Sequence, residues 1–541
     1  MDAEVPFLLT GSAGTDEPPL AGVSDFRGRP VYRDTSGGWR SALFVSAVEM
    51  AVCFAHFGVS SNLIAYLTGP LGHSNAAAAA AVNAWSGTAN LMPLLGAFVA
   101  DSWLGRYRSL LLACTLYVLG YGMITLASTL PAVHSWNNFS SLPSSQKVVL
   151  FYTSLYLIAV AQGVGKPCGL AFAADQFDPD HPKERAARSS LFNWFYLCMV
   201  IGVAMAVTVV SSIQENIGWG IGFGALFVIM VFASLVFLAG TTTYRLYTPT
   251  TISSKSPITR LAHSFSALAR NSIFSFLMKE HHQREDEKDM DKSEEARAVL
   301  RMLPIWVTCL AFGLVFAQVP TLFNKQGRTL DLRMFGALEL PPAGLRTFGP
   351  VSILVFMPIY DRVLVPVLRC ATGNPSGLTP LQRMGMGMAL SLVAVSVAAL
   401  VESRRLVIAR EYGLVDDASA TVPMSWVWLV PQYVICGMSD VFAVVGMREF
   451  FYDQMPDDLR SLGLALSWGV MGVSSFISGA LISLIDRVTK SGGGDSWFAD
   501  NLNRAHLDYF YWLLAGVSAV ELVLYLHFTS SYAYIGKRLH R

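Results

Sequence analysis

Four ionisable side chains fall inside stretches otherwise too apolar to hold a charge: Glu49, Lys166, Asp440 and Glu449. A charge at the centre of a bilayer costs about 2.5–3.5 kcal/mol on insertion scales, so such residues mark function by default. A carboxylate there can take up and release a proton. An ammonium can hold an anion, and the two together form a pair that protonation breaks. Lys166 lies in Ala161-Gln162-Gly163-Val164-Gly165-Lys166-Pro167-Cys168-Gly169. The glycines and the proline loosen a helix here and leave backbone groups able to face a cavity. The plainer alternatives stay open. Lys166 and Glu49 can pair for stability alone, and Glu449, beside Asp453 and Pro456, can be a helix-end charge at the water interface. Asp440 reads equally as structural or functional.

These residues need apolar elements to carry them to depth. The chain of 541 residues is 53% hydrophobic and 14% charged, against about 25% charged in soluble domains. That deficit is what lipid-facing helices produce. A span needs roughly 20 residues at about 1.5 Å rise each. Spans are expected near 41–68, 78–101, 108–131, 148–174, 190–213, 218–241, 299–321, 346–368, 382–402, 425–448, 461–486 and 508–531. The organisation follows: an N-terminal segment 1–40 rich in Gly, Pro, Asp and Ser and disordered in part, a six-helix bundle 41–241, a charged linker 242–298, a second six-helix bundle 299–531 and a tail 532–541. No apolar run precedes about Ala42, which argues against a cleaved signal peptide.

The formal net charge is +1, so no basic field argues for nucleic acid. Seven cysteines are scattered without a CxxC pair and read as small core residues rather than a disulfide or zinc framework. No Ser/His/Asp set, metal cluster or phosphate-cradling loop is present, so no enzyme and no cofactor are expected. Basic residues Arg106, Arg108, Lys183, Arg185, Arg188, Arg369, Arg460, Lys537 and Arg538 share one side if the spans alternate, and the other side carries fewer, among them Lys325, Arg328, Arg404 and Arg405. This bias puts both termini and the linker in the cytosol. Asn138-Phe139-Ser140 is a glycosylation sequon on the opposite side, the alternative being an unmodified surface Asn. Glu4 with Leu8 and Leu9 resembles an acidic-dileucine sorting signal, which makes the vacuolar membrane a candidate beside the plasma membrane, the alternative being a chance occurrence of a short pattern.

Six plus six spans around a charged linker is similar to the plan of the major facilitator superfamily, whose halves rock about a midplane site. Asp101-Ser102-Trp103-Leu104-Gly105-Arg106-Tyr107 resembles that superfamily's cytosolic gating motif, with Asp101 and Arg106 able to tie the halves together, and Asp361-Arg362 is a partial echo in the second half. Several strings go further: Ser60-Ser61-Asn62-Leu63-Ile64, Tyr66-Leu67-Thr68-Gly69-Pro70-Leu71-Gly72, Asn83-Ala84-Trp85-Ser86-Gly87, Ala174-Asp175-Gln176-Phe177-Asp178, Phe192-Asn193-Trp194-Phe195-Tyr196, Leu303-Pro304-Ile305-Trp306 and Glu449-Phe450-Phe451-Tyr452-Asp453-Gln454. From about residue 30 onward the chain resembles the proton-dependent oligopeptide transporter family, specifically its plant nitrate/peptide branch.

The resemblance implies alternating access, usually as proton symport, with a small-molecule substrate and the bilayer as partners. The family's span-one motif is Glu-x-x-Glu-Arg; here the matching residues are Glu49-Met50-Ala51-Val52-Cys53. Proton coupling is therefore expected through Glu49 and Lys166 alone, and weakened or altered. The resemblance implies that Glu449 meets a substrate's cationic end and Lys166 its anionic end, with Phe192, Trp194, Tyr196 and Trp306 as pocket candidates. His56 replaces a usual aromatic, either packing or lining the pathway. A nitrate-carrying relative uses a span-seven histidine, and none of the ten histidines here falls in that span. Ser109 takes the place of a regulated threonine, where phosphorylation would add negative charge beside Arg106 and Arg108; an unmodified helix-start serine is the plainer alternative. The expectation is an all-α, major-facilitator-type carrier of nitrate, a di- or tripeptide, or a plant hormone or metabolite. The rival is a transport-inactive, receptor-like protein that keeps the fold.

Overall fold

The computed structural model describes residues 20, 22–99, 104–133, 144–178, 181–247, 299–334, 338–339, 342–372, 378–455, 460–491 and 495–532. The first half comprises α1 (Gly38–Ser60), α2 (Asn75–Val99), α3 (Gly105–Val133), α4 (Ser144–Ala174), α5 (Pro182–Met205) and α6 (Trp219–Gly240). The second comprises α7 (Val299–Phe316), α8 (Pro342–Cys370), α9 (Pro380–Glu411), α10 (Val430–Asp453), α11 (Arg460–Ser491) and α12 (Leu507–Ser530). Among the described residues 11 helices are long and apolar enough to cross a bilayer. α2, with 25 residues, is outside that set because Asn83, Ser86, Thr88 and Asn90 dilute its apolarity.

Local chemistry sets several helix ends. Pro182 and Pro380 occupy first-turn positions, where a missing N–H costs nothing. Thr379 and Gln382 close a reciprocal capping box ahead of α9, satisfying two otherwise orphaned donors. Directly after α5, and inside α8, the winding loosens to π-helix at Ala206–Val210 and Tyr360–Leu364, a distortion that is frequent at functional sites. Outward-facing Ile221, Val228, Phe232 and Leu235 of α6 are exposed, which suits a lipid-facing surface.

Within the first half, α1 packs on α4, α5 and α6, and α3 on α4 and α6. Within the second, α9 packs on α10 and α12, and α7 on α11. The halves meet along α2 with α11 and along α5 with α8. At the face where α1 begins, residues 22–37 are folded onto the first half. Val23–Ser24 pairs antiparallel with Leu246–Tyr247 just beyond α6. Arg245, 1% exposed, donates to Glu184 (2.7 Å) and to the carbonyls of Ser36 (2.7 Å), Gln176 (3.2 Å) and Arg33 (3.2 Å). We call this the tail face.

On the opposite, far face, hydrogen bonds join the halves. Asn324 donates to the Ser61 carbonyl (2.6 Å), and Arg328 donates to Asn62 (2.9 Å) and Glu215 (2.5 Å). The Asn75 amide donates to Asp500 (2.9 Å), and Asn83 donates to Ser478 (3.0 Å). The far side is thus sealed. Hydrogen bonds to charged groups contribute about 1.5–3 kcal/mol each, so Arg328→Ala is expected to shift the resting population toward a far-side-open form. Labelling of a Ser211→Cys reporter, placed under the seal beside Ser61, should accelerate with an impermeant maleimide applied from the far side. Unchanged labelling would show that Arg328 does not hold the seal.

Candidate functional site

α4 runs unbroken from Ser144 to Ala174 with Pro167 inside it, which leaves one rung of its backbone ladder unmade. Pro167 has no N–H to give to Gly163, one turn earlier, and α2 fills the same spot by bringing Gly96 against the Gly163 carbonyl, an approach no side chain would permit. Lys166 then projects across the seam to the second half. Its ammonium lies 3.5 Å from the centroid of the Trp468 indole on α11. Arg448 of α10 sits over the same ring at 4.5 Å. Two cations from opposite halves share one aromatic face system. Each contact stabilises by about 0.5–1 kcal/mol when exposed and about 2 kcal/mol when desolvated.

Among the described residues, no carboxylate is within ion-pairing distance of Lys166 or Arg448. Glu49 and Asp440 supply the counter-charge from further off: Glu49 acts on Lys166, and Asp440 on Arg448. The Glu49 carboxylate is seated against α4 at Gly169, where a Cβ would come within 2.8 Å of Oε2. Glu49, Lys166, Asp440, Arg448 and Trp468 all keep partial exposure.

Further along α1, Cys53 is buried at the level of Lys166. His56 stacks on Trp85 (5.2 Å, 28°) and meets Phe57 edge-on, with its Nδ1 buried and unpartnered. Arg346 of α8 lies over the Phe57 ring at 5.4 Å and donates to the Ser60 hydroxyl at 3.3 Å.

Several expected site residues go elsewhere. Glu449 faces Arg383 of α9 at 3.7 Å and is 40% exposed; its neighbour Arg448 holds the central position instead, because consecutive helical residues diverge by about 100°. Trp194 is 57% exposed while Tyr196 lies near Asp440 and Arg448. Two positions apart on a helix, they point to opposite faces and cannot both line one pocket. Trp306 spends its indole N–H on the Leu466 carbonyl (2.9 Å), clamping α7 to α11. Ser109 is fully buried with an unpartnered hydroxyl, an arrangement that suits the plainer expectation of an unmodified helix-start serine. Arg106 pairs with Asp175 of its own half at 2.5 Å. Arg362 is exposed on the π-helical turn of α8. Glu4, Leu8, Leu9, Asp101 and Asn138 lie outside the described residues, as do the side chains of Phe192 and Asp361.

The sequence reasoning missed Trp468, Arg448 and Arg346. Arg448 adjoins a quoted string and was available as an intramembrane charge. Arg346 stands at the expected edge of the eighth span and looked like a flanking residue. Nothing local distinguishes Trp468 from a packing aromatic.

The family model described as "POT family" matches residues 107–498. The chain is 49% identical to Protein NRT1/PTR FAMILY 5.10 of Arabidopsis thaliana, covering 97% of this chain and 98% of that one. It is 45% identical to Protein NRT1/PTR FAMILY 5.13 of the same plant, covering 97% and 98%. Among solved structures, an auto-inhibited POT family peptide transporter superposes with TM-score 0.69 at 19% identity, covering 92% of this chain and 98% of that one. The POT family transporter PepTSo superposes with TM-score 0.68 at 20% identity, covering 92% and 99%.

Proposed function

The chain belongs to the POT family and is a multi-pass membrane transporter, and from that premise we propose that it carries a small anionic solute by alternating access. One observation supports this above others: Lys166 and Arg448, from opposite halves, meet on Trp468, and among the described residues no carboxylate is in contact with either. An aromatic face is a weak substitute for an anion. A charge-assisted hydrogen bond contributes about 1.5–3 kcal/mol, so an entering anion displaces the indole as partner of both cations and bridges the halves. The tail face, through which the sealed far side leaves the site reachable, is assigned to the cytosol, in the plasma membrane or the vacuolar membrane. The test is uptake of a panel of small anions, cations and zwitterions into proteoliposomes. Flux restricted to cations would overturn the reading.

Proton coupling through this site is weak or absent. Glu49 stands without the second carboxylate and the guanidinium of a Glu-x-x-Glu-Arg motif, for Val52 and Cys53 occupy those places. The remaining carboxylate rests on Gly169 and is not ion-paired with Lys166. An imposed proton gradient is expected to change wild-type uptake little, and to drive accumulation once Val52→Glu and Cys53→Arg are installed together. Strong gradient-driven accumulation by the wild type, unchanged by the double exchange, would contradict this.

A further inference from the structure

Arg346 is a third cation on the same internal face, and nothing in the central cluster uses it. Along α1, Glu49, Cys53, Phe57 and Ser60 recur at helical spacing and so share one stripe. The end at Glu49 and Cys53 faces Lys166. The end at Phe57 and Ser60 faces Arg346. The imidazole of His56 lies between and is reached by the charge of both Lys166 and Arg346. The midpoints of the two ends are about seven to eight residues apart, which at about 1.5 Å rise is roughly 11 Å.

Arg346 is under-used where it sits. Among the described residues its polar contact is the 3.3 Å bond to Ser60, and no carboxylate pairs with it. The Tyr433 hydroxyl, whose ring is within the guanidinium's electrostatic reach, is buried and unpartnered, as is the hydroxyl of neighbouring Thr347. A guanidinium with spare donors, a phenol and a hydroxyl make up an anion-binding group, because each presents an N–H or O–H and none brings negative charge. Between the poles the lining is aromatic: His56 and Phe57, both partly exposed.

We propose that Arg346 is a second anion-binding point, so that the transported solute is elongated, with an anionic group at each end and an apolar middle. This rests on the anion-carrier reading above. One end meets Lys166 and Arg448, and the other meets Arg346 and Tyr433. Saturated α,ω-dicarboxylates of about nine carbons have the required reach by extended-chain geometry.

The test is binding of nonanedioate, its monomethyl ester and butanedioate to the full-length protein in nanodiscs, read by tryptophan fluorescence, with uptake measured in parallel. Nonanedioate is expected to bind at least about tenfold more tightly than the monoester, which has equal length and one charge. It should also bind more tightly than butanedioate, which has two charges and insufficient length. Arg346→Ala should erase the advantage over the monoester while leaving monoester binding intact, and Arg346→Lys should restore part of it. Equal binding of nonanedioate and monoester by the wild type, or an equal loss of both in Arg346→Ala, would overturn the second pole and leave the first standing. Absence of binding by all three, together with no anion flux, would instead remove the anion-carrier reading itself. Unchanged thermal unfolding of Arg346→Ala separates a binding loss from a folding loss.

Discussion

Lys166→Ala is expected to remove transport of the anionic solute while the protein still folds and reaches the membrane. The ammonium is the first half's contribution to the charge that meets the solute, since Arg448, Trp468 and Arg346 all belong to the second. Truncating one partner of a buried, hydrogen-bonded charge pair costs about 2–5 kcal/mol, or roughly one and a half to three and a half orders of magnitude in affinity. The variant also leaves Glu49 deep in the bundle with no counter-charge, which further repels an anion. Lys166→Arg keeps the charge but swaps a compact ammonium for a planar fork, so it should recover part of the uptake. Trp468→Leu should behave differently, because the indole competes with the solute for both cations: binding is retained or tightened while turnover changes. Wild-type uptake by Lys166→Ala, with surface expression verified, would sink the mechanism.

Arg405→Leu is expected to have the largest effect on stability. Arg405 and Glu402 of α9 are both wholly buried, with the guanidinium donating to the carboxylate at 2.6 and 2.9 Å. It also donates to Asn503 and to the Leu502 carbonyl, both at 2.7 Å, which ties α9 to the segment entering α12. Removing one member of a buried pair strands the other and costs about 3–5 kcal/mol. Replacing both with apolar residues is often close to neutral. The Glu402→Leu/Arg405→Leu protein should therefore unfold more slowly than Arg405→Leu alone, measured as unfolding rate at fixed temperature in detergent, since thermal unfolding of such proteins is commonly irreversible. A double variant no better than the single one would show that the Asn503 and Leu502 contacts carry the effect.

The bundle was legible in the sequence because lipid imposes one requirement, long apolar helices, that local composition reports directly. The expected span 148–174 and the observed Ser144–Ala174 differ by a turn, and Pro380–Glu411 extends two residues before the expected 382–402 and nine beyond it, past the point where its apolar run gives way to Arg404 and Arg405. The first half of the site was legible for the same reason: Glu49 and Lys166 are expensive at depth and so stand out. The second half was not. Glu449 and Arg448 are adjacent, and composition cannot say which faces the seam; a helix phase fixed by packing against α8, α9 and α11 decides it. Trp194 was misplaced by the same phase problem. The burial of Ser109 was not legible either, because it depends on neighbouring helices, which no local motif encodes. Residues 22–37 carry the Gly and Asp of a disordered segment, yet they are folded by Arg245, a partner more than 200 positions away.

The pairing of Val23–Ser24 with Leu246–Tyr247, locked by Arg245, has a mechanical consequence. The chain leaving the first half does not depart from the last turn of α6. It is first clamped to that half's rim by several hydrogen bonds in parallel, loaded in shear along a short ribbon. Tension arriving from beyond Tyr247 would meet this ribbon and the Arg245 bonds before it reached the last turn of α6, as a cable gland takes the tug on a wire.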